Sequence, residues 1–241
     1  MQLPAHNGGH ACQGMEFPLR SAQMQAALET CKPLLSGQST IACMGDLLTL
    51  ASFSLVPVIN ESLIGAYTTQ SEAASACQQN SPDLLFVTEH LEQGYGLSLA
   101  RHVKEFSPKT RTLVFLHRES QAVVREALEA FVEGVMFVSS LGKGVDGDFI
   151  RSLAAIADGG NYYPMEVKAV AGYEPVEVLP DLTDREMEVL KVLSCGLSNK
   201  EISESLFISA ETVKSHVSTI IGKMGVKDRT QAVIKAIRAG L

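Results

Sequence analysis

No apolar run in this chain of 241 residues approaches the roughly 18 residues a membrane-spanning helix needs. The opening MQLPAHNGGHACQG has neither the basic start nor the apolar stretch of a secretory signal. Cysteine is sparse. The five residues Cys12, Cys31, Cys43, Cys77 and Cys195 are odd in number, widely spread and without a C-x-x-C. That usage argues against a disulfide scaffold and a cysteine zinc site, and for reduced thiols in a cytosol. His6, His10 and Cys12 are of metal-ligand type, but they lie in a Gly-, Pro- and Asn-bearing stretch without periodicity, a poor preorganised site. His90, His102 and His117 are scattered, with no nucleophile pattern beside them. Gly142-Lys143-Gly144 lacks the G-x-x-x-x-G-K-[ST] framework of a phosphate loop and reads as a loop only. The expectation is a cytoplasmic non-enzyme with no catalytic residues, no metal, no cofactor and no membrane partner.

What the chain does have is the 46% apolar content of a folded protein and a length that allows one large domain or two small ones. The net charge of −7 excludes a nonspecific polycation, and it is unevenly divided. Residues 179–241 carry +1, whereas residues 1–178 carry −8. The small C-terminal piece is therefore the better partner for a polyanion, since local charge steers binding more than the total does.

From residue 37 onward, continuous apolar runs alternate with helical stretches. The runs are 40–44, 62–66, 83–87, 112–116 and 134–138, and the helices fall near 46–54, 71–79, 95–106, 120–131 and 147–158. Such alternation predicts βαβ units and a parallel sheet, and unbroken apolar runs suit strands covered on both faces. A further helix is expected over 19–35, with Leu19, Met24, Ala27, Leu28 and Cys31 near helical spacing. The expected division is an extension over 1–36, an α/β domain over 37–165, a Pro- and Gly-bearing linker over 166–178, and a helical domain over 179–241.

The helical domain carries the most information. Thr183-Asp184-Arg185-Glu186 and Ser198-Asn199-Lys200-Glu201 are capping boxes, each pairing a hydroxyl with a glutamate three residues on. Ser209 and Asp228 are positioned to cap two more helices. Phe207-Ile208-Ser209 is a tight turn between a short helix and a longer one. On that longer helix Val213, Val217, Ile220, Ile221 and Met224 fall in one stripe about 100° wide. Glu211, Ser215, Ser218, Thr219 and Gly222 face the other way, flanked by Lys214 on one side and by Thr212 and His216 on the other. A small polar face with basic margins suits close approach to bases in a major groove, with the margins on phosphates.

Leu182–Leu241, through its LTDRE, GLSNKEIS, IS-x-x-TVK-x-H, KMGV and RTQAV segments, resembles the LuxR-type helix-turn-helix domain of bacterial transcription regulators. The resemblance implies double-stranded DNA as partner and a homodimer. By position it places Lys214, Ser215 and Ser218 at base-facing sites. Lys200, Thr212 and His216 fall at phosphate-contacting sites, with Lys223, Lys227 and Arg229 as further phosphate candidates. Two serines at reading positions discriminate poorly, so much of the binding is expected from phosphates and DNA shape.

Residues 39–165 resemble the receiver domain of two-component response regulators, through SPDLLFV, TRTLVFL, EGVMFV and IADGGNYYP. The resemblance calls for an acidic pair after strand one, a phosphoacceptor aspartate, a hydroxyl ending strand four and a lysine ending strand five, which with Mg²⁺ offset phosphoryl charge. This chain has at most Asp46, then Thr88, Leu116 and Val138 at those positions. A degenerate receiver is expected; neighbouring Glu89 as an acyl-phosphate acceptor is disfavoured because the lysine and the acidic pair would still be absent, and as a standing negative charge it is a weak alternative. An acyl-homoserine-lactone domain, also found on LuxR-type regulators, is disfavoured because the chain has no tryptophan. The expected protein is an α/β receiver-like doubly wound sheet joined to an all-α four-helix helix-turn-helix domain. It acts as a sequence-specific, phosphorylation-independent, dimeric transcription regulator, with a possible protein partner on the receiver-like domain. The alternative is an interaction protein docking on another regulator or on polymerase, with weak DNA binding.

Overall fold

A computed structural model of the chain describes residues 22–141, 147–173 and 179–241. The first helix, α1 (Ala22–Leu35), buries Ala27, Cys31 and Leu35. Then come β1 (Thr40–Cys43), α2 (Leu47–Ser54), the short α3 (Pro57–Asn60), β2 (Leu63–Tyr67), α4 (Gln70–Asn80), β3 (Leu84–Thr88), α5 (Gly96–Phe106), β4 (Arg111–Leu116), α6 (Gln121–Glu129), β5 (Gly134–Phe137) and α7 (Asp148–Ala157). All five strands are parallel, in the order β2-β1-β3-β4-β5. The expected α/β sheet is therefore present. His6, His10, Cys12, Leu19 and the Gly142-Lys143-Gly144 loop lie outside the described residues.

Period-two alternation places each strand's side chains on two faces. Ala42, Phe86, Phe115 and Met136 face α1 and α7, while Ile41, Leu85, Val87, Val114 and Val135 face the α4–α6 side. Burying each such side chain contributes about 1.5–3 kcal/mol. Helix α1 packs on α7 and α3, so the N-terminal helix covers one flank of the sheet domain. Burial pushes the Cys31 thiol up to about 11 and those of Cys43 and Cys77 up to about 12, leaving them poor nucleophiles.

The segment read as a linker, 166–178, needs correction. It begins inside a helix, α8 (Met165–Ala171), which buries Val167 and Ala171 and packs on α6. Pro164 stands at its N-cap and Gly172 closes it in the left-handed region at φ 50°. Of the residues that suggest a linker, Gly172 is the C-cap of this helix. Arg125 Nε and Nη2 donate to the carbonyls of Ala171 and Gly172 at 2.8 and 2.7 Å.

The C-terminal part holds α9 (Asp184–Ser194), α10 (Asn199–Leu206), α11 (Ala210–Met224) and α12 (Arg229–Arg238). Both capping boxes form. Asp228 accepts from the Gln231 amide, and the Gln231 side chain reaches back to the Lys227 amide rather than to the cap itself. This domain rests against the sheet domain. Asn161 donates to Thr230 Oγ1 at 2.7 Å in a buried bond, and Lys168 donates to the Ser194 carbonyl. Two guanidiniums lie over the Tyr173 ring, Arg125 of α6 at 4.9 Å and Arg238 of α12 at 5.6 Å from its centroid. Among the described residues no helix is long and apolar enough to cross a membrane.

Candidate nucleic-acid interface

Helix α10 ends at Phe207, whose φ of 53° turns the chain sharply; Ser209 then opens α11 by accepting from the Thr212 amide at 3.0 Å. The apolar stripe of α11 packs inward: Val213, Val217, Ile220 and Met224 are buried against α9, α10 and α12, and Ile221 is half-buried. Because the stripe fixes the helix's rotation, Glu211, Thr212, Lys214, Ser215, Ser218, Thr219 and Gly222 are left exposed. A Cβ at Gly222 would meet nothing within 4 Å, so the face is open there. The small side chains leave room for a groove edge to come close.

Most of the residues singled out in the sequence are exposed to solvent, and Arg229 is turned inward. Lys200, at the start of α10, is exposed, as is Lys227. His216 is half-buried on the flank of the face. The hydroxyl of Thr212 is 2.8 Å from that of Ser209. Lys223 is occupied: its ammonium sits 2.7 Å from Glu186 Oε2, bracing α11 to α9. That ammonium, followed by the Thr183 amide, holds the Glu186 carboxyl below the usual carboxylate range.

Arg229 is the correction. Its guanidinium turns inward, donating to Asn199 Oδ1 at 2.8 Å and to the Leu197 carbonyl, and burial lowers its pKa. With those donors committed, Arg229 ties α12 to the α9–α10 turn instead of offering a phosphate contact.

The C-terminal end of the parallel sheet carries Asp46, Thr88, Glu89, Leu116 and Val138 at or just after the strand ends. Asp46 caps α2, accepting from the Thr49 amide at 2.8 Å and its hydroxyl at 2.7 Å. Those bonds, the hydroxyl first, lower its pKa. Thr88 is buried and donates to the His90 carbonyl at 2.9 Å. Leu116 is buried and Val138 half-buried. Glu89 is fully buried, and its carboxylate accepts from the amides of His117 and Arg118 at 3.2 and 3.1 Å and from the Arg118 guanidinium. Two main-chain donors and a cation therefore converge on an anion supplied by the chain itself. Nothing local in the sequence marked Arg118, because its partner lies 29 positions away. Among the described residues, no group of three His, Cys, Asp or Glu could hold a metal ion.

A family described as bacterial regulatory proteins, luxR family (GerE), matches residues 180–236. The transcriptional regulatory protein LnrK of Bacillus subtilis is 32% identical over 185 residues, spanning 70% of this chain and 82% of that protein. The transcriptional regulatory protein DegU of Brevibacillus brevis is 30% identical over 190 residues, spanning 70% and 78%. A structure of the RcsB response regulator of Salmonella typhimurium aligns with a TM-score of 0.48 and 17% identity, over 83% of this chain and 98% of that one.

Proposed function

The chain belongs to the luxR family of bacterial regulatory proteins, of the response-regulator type, and on that premise we propose that it is a cytoplasmic transcription regulator whose α11 reads double-stranded DNA. The observation that carries the proposal is the division of α11. Its aliphatic stripe is buried, and its small polar face, with Lys214 at the margin, is open to solvent. Binding occurs as a homodimer, since one small module covers few base pairs and two linked half-sites multiply affinity. Lys214, Ser215 and Ser218 face bases; Lys200, Thr212, His216 and Lys227 take phosphates.

A gel-shift series over salt tests the reading. Affinity falls steeply as salt rises if several phosphates are neutralised. Lys200→Ala lowers affinity about equally on all sequences and flattens the log–log salt slope by about one unit. Lys214→Ala instead removes about 1–3 kcal/mol of preference for the selected site over random duplex. A protein that docked on another regulator or on polymerase would bind duplex weakly at every salt concentration and would show neither effect.

The same proposal makes the regulator independent of phosphorylation. The position that would accept a phosphoryl group is Thr88, Asp46 is spent on a helix cap, and the donors at the end of β4 are occupied by Glu89. Incubation with a small phosphodonor and Mg²⁺, followed by intact-mass measurement, leaves the mass unchanged. A stable adduct of one phosphoryl group, lost in Glu89→Gln, would overturn this part of the reading. Activity is then set by dimerisation or by a protein partner on the sheet domain, where α2 leaves Leu47, Leu48 and Leu55 exposed.

A further inference from the structure

Glu211 sits in the first turn of α11 with its side chain 86% exposed, on the face proposed to meet DNA. A carboxylate on that face is repelled by every phosphate, so it lowers affinity unless it finds a donor. Its Oε2 lies 3.5 Å from Nζ of Lys214, which is 62% exposed one turn further along the helix. The neighbouring outward residues, Ser215, Ser218 and Thr219, are short. Glu211 and Lys214 are thus the long side chains of the face's leading half, and they present one acceptor and one donor side by side.

The major-groove edge of a G·C pair offers the complement. Guanine N7 and O6 accept, cytosine N4 donates, and O6 and N4 are roughly 2.9 Å apart because they are hydrogen-bonded to each other. We propose that Glu211 and Lys214 act together as a clamp for one G·C base pair, the lysine donating to guanine O6 and N7 and the glutamate accepting from cytosine N4. An A·T edge places its donor between two acceptors and a methyl group, and gives the lysine one acceptor fewer on the guanine-like side. Glu211 is then a specificity-determining residue rather than an affinity residue. The inference rests on the DNA-binding reading above. The competing role, an acid complementing the positive end of a helix, predicts no dependence on base identity.

The test is selection of sites from a pool of random duplexes by the full chain, in the wild type and in Glu211→Ala, Glu211→Gln and Lys214→Ala variants. The wild type is expected to enrich a motif with a strong G·C column in each half-site. Glu211→Ala relaxes that column by about 5- to 100-fold and leaves the others in place. The same variant binds unselected duplex as well as the wild type or better, because a negative charge is gone. Glu211→Gln, with an acceptor and a donor of its own, turns the column towards A·T. A motif unchanged by Glu211→Ala, or a wild-type column that already prefers A·T, overturns the clamp and leaves the DNA-binding reading standing. A wild type that enriches no motif overturns that reading, and the clamp with it.

Discussion

Val213→Asp unfolds the C-terminal helical domain and abolishes duplex binding. Val213 is fully buried in the stripe that α11 turns towards its sibling helices. A carboxylate there has no partner and no water, and the cost is about 4 kcal/mol or more. A domain of this size has little more than that in reserve. Helicity by circular dichroism falls, the melting transition of the C-terminal part disappears, and gel shifts vanish on every sequence. Ser215→Asp is the control. On the exposed face two positions away, it keeps the fold and loses only the DNA. A Val213→Asp chain that melted like the wild type would mean that α11 presents its other face to solvent, and the case for a reading helix would fall.

Gly96→Ala is the second large effect, and it acts on the sheet domain. Gly96 opens α5, and its amide donates to the Glu89 carbonyl at 2.8 Å. A Cβ built on it would stand 1.9 Å from the Thr88 carbonyl oxygen and 3.0 Å from Cγ2 of Val87. No rotamer relieves a clash with main chain. Either the end of β3 or the start of α5 has to move by more than an ordinary overpacked side chain demands, which already costs about 1–3 kcal/mol. A loss of about 3 kcal/mol or more is expected, which lowers the melting temperature by roughly 6–12 °C in a protein of this length. Gly159→Ala makes a useful contrast. Its φ is +74° but nothing lies within 4 Å of the added carbon, so only backbone strain of about 1 kcal/mol follows. Equal melting temperatures for the two variants would show that the β3–α5 approach is looser than a contact of 1.9 Å implies.

What could be read in the sequence was whatever the chain writes locally. The two capping boxes announced α9 and α10 because both partners of each bond lie three residues apart. The stripe Val213–Val217–Ile220–Met224 announced its own burial because helical period alone aligns it. Strands β1, β3, β4 and β5 are legible because a strand covered on both faces must be apolar throughout, whereas β2 at the sheet edge leaves Ile64 exposed. What stayed hidden depends on residues far apart in the chain. Arg229 looked like a surface cation until Asn199 and Leu197 were seen to hold it. Helix α8 reads as a linker because Gly172, Pro175 and Pro180 mark a break without saying where the helix before it ends. The pairing of Glu89 with Arg118 joins the ends of β3 and β4, and only the register of the sheet brings them together.

Tyr173 has a bearing on how the salt series should look. Its ring makes cation–π contacts with both Arg125 and Arg238, and the bond from Asn161 to Thr230 is shut away from solvent. A cation–π contact is electrostatic, but where partly buried it is screened less by added ions than an exposed contact between a lysine and a phosphate. Raising the ionic strength is therefore expected to strip the molecule from its operator while the buried Asn161–Thr230 bond still joins the reading head to its own body, ready to rebind when the salt is diluted.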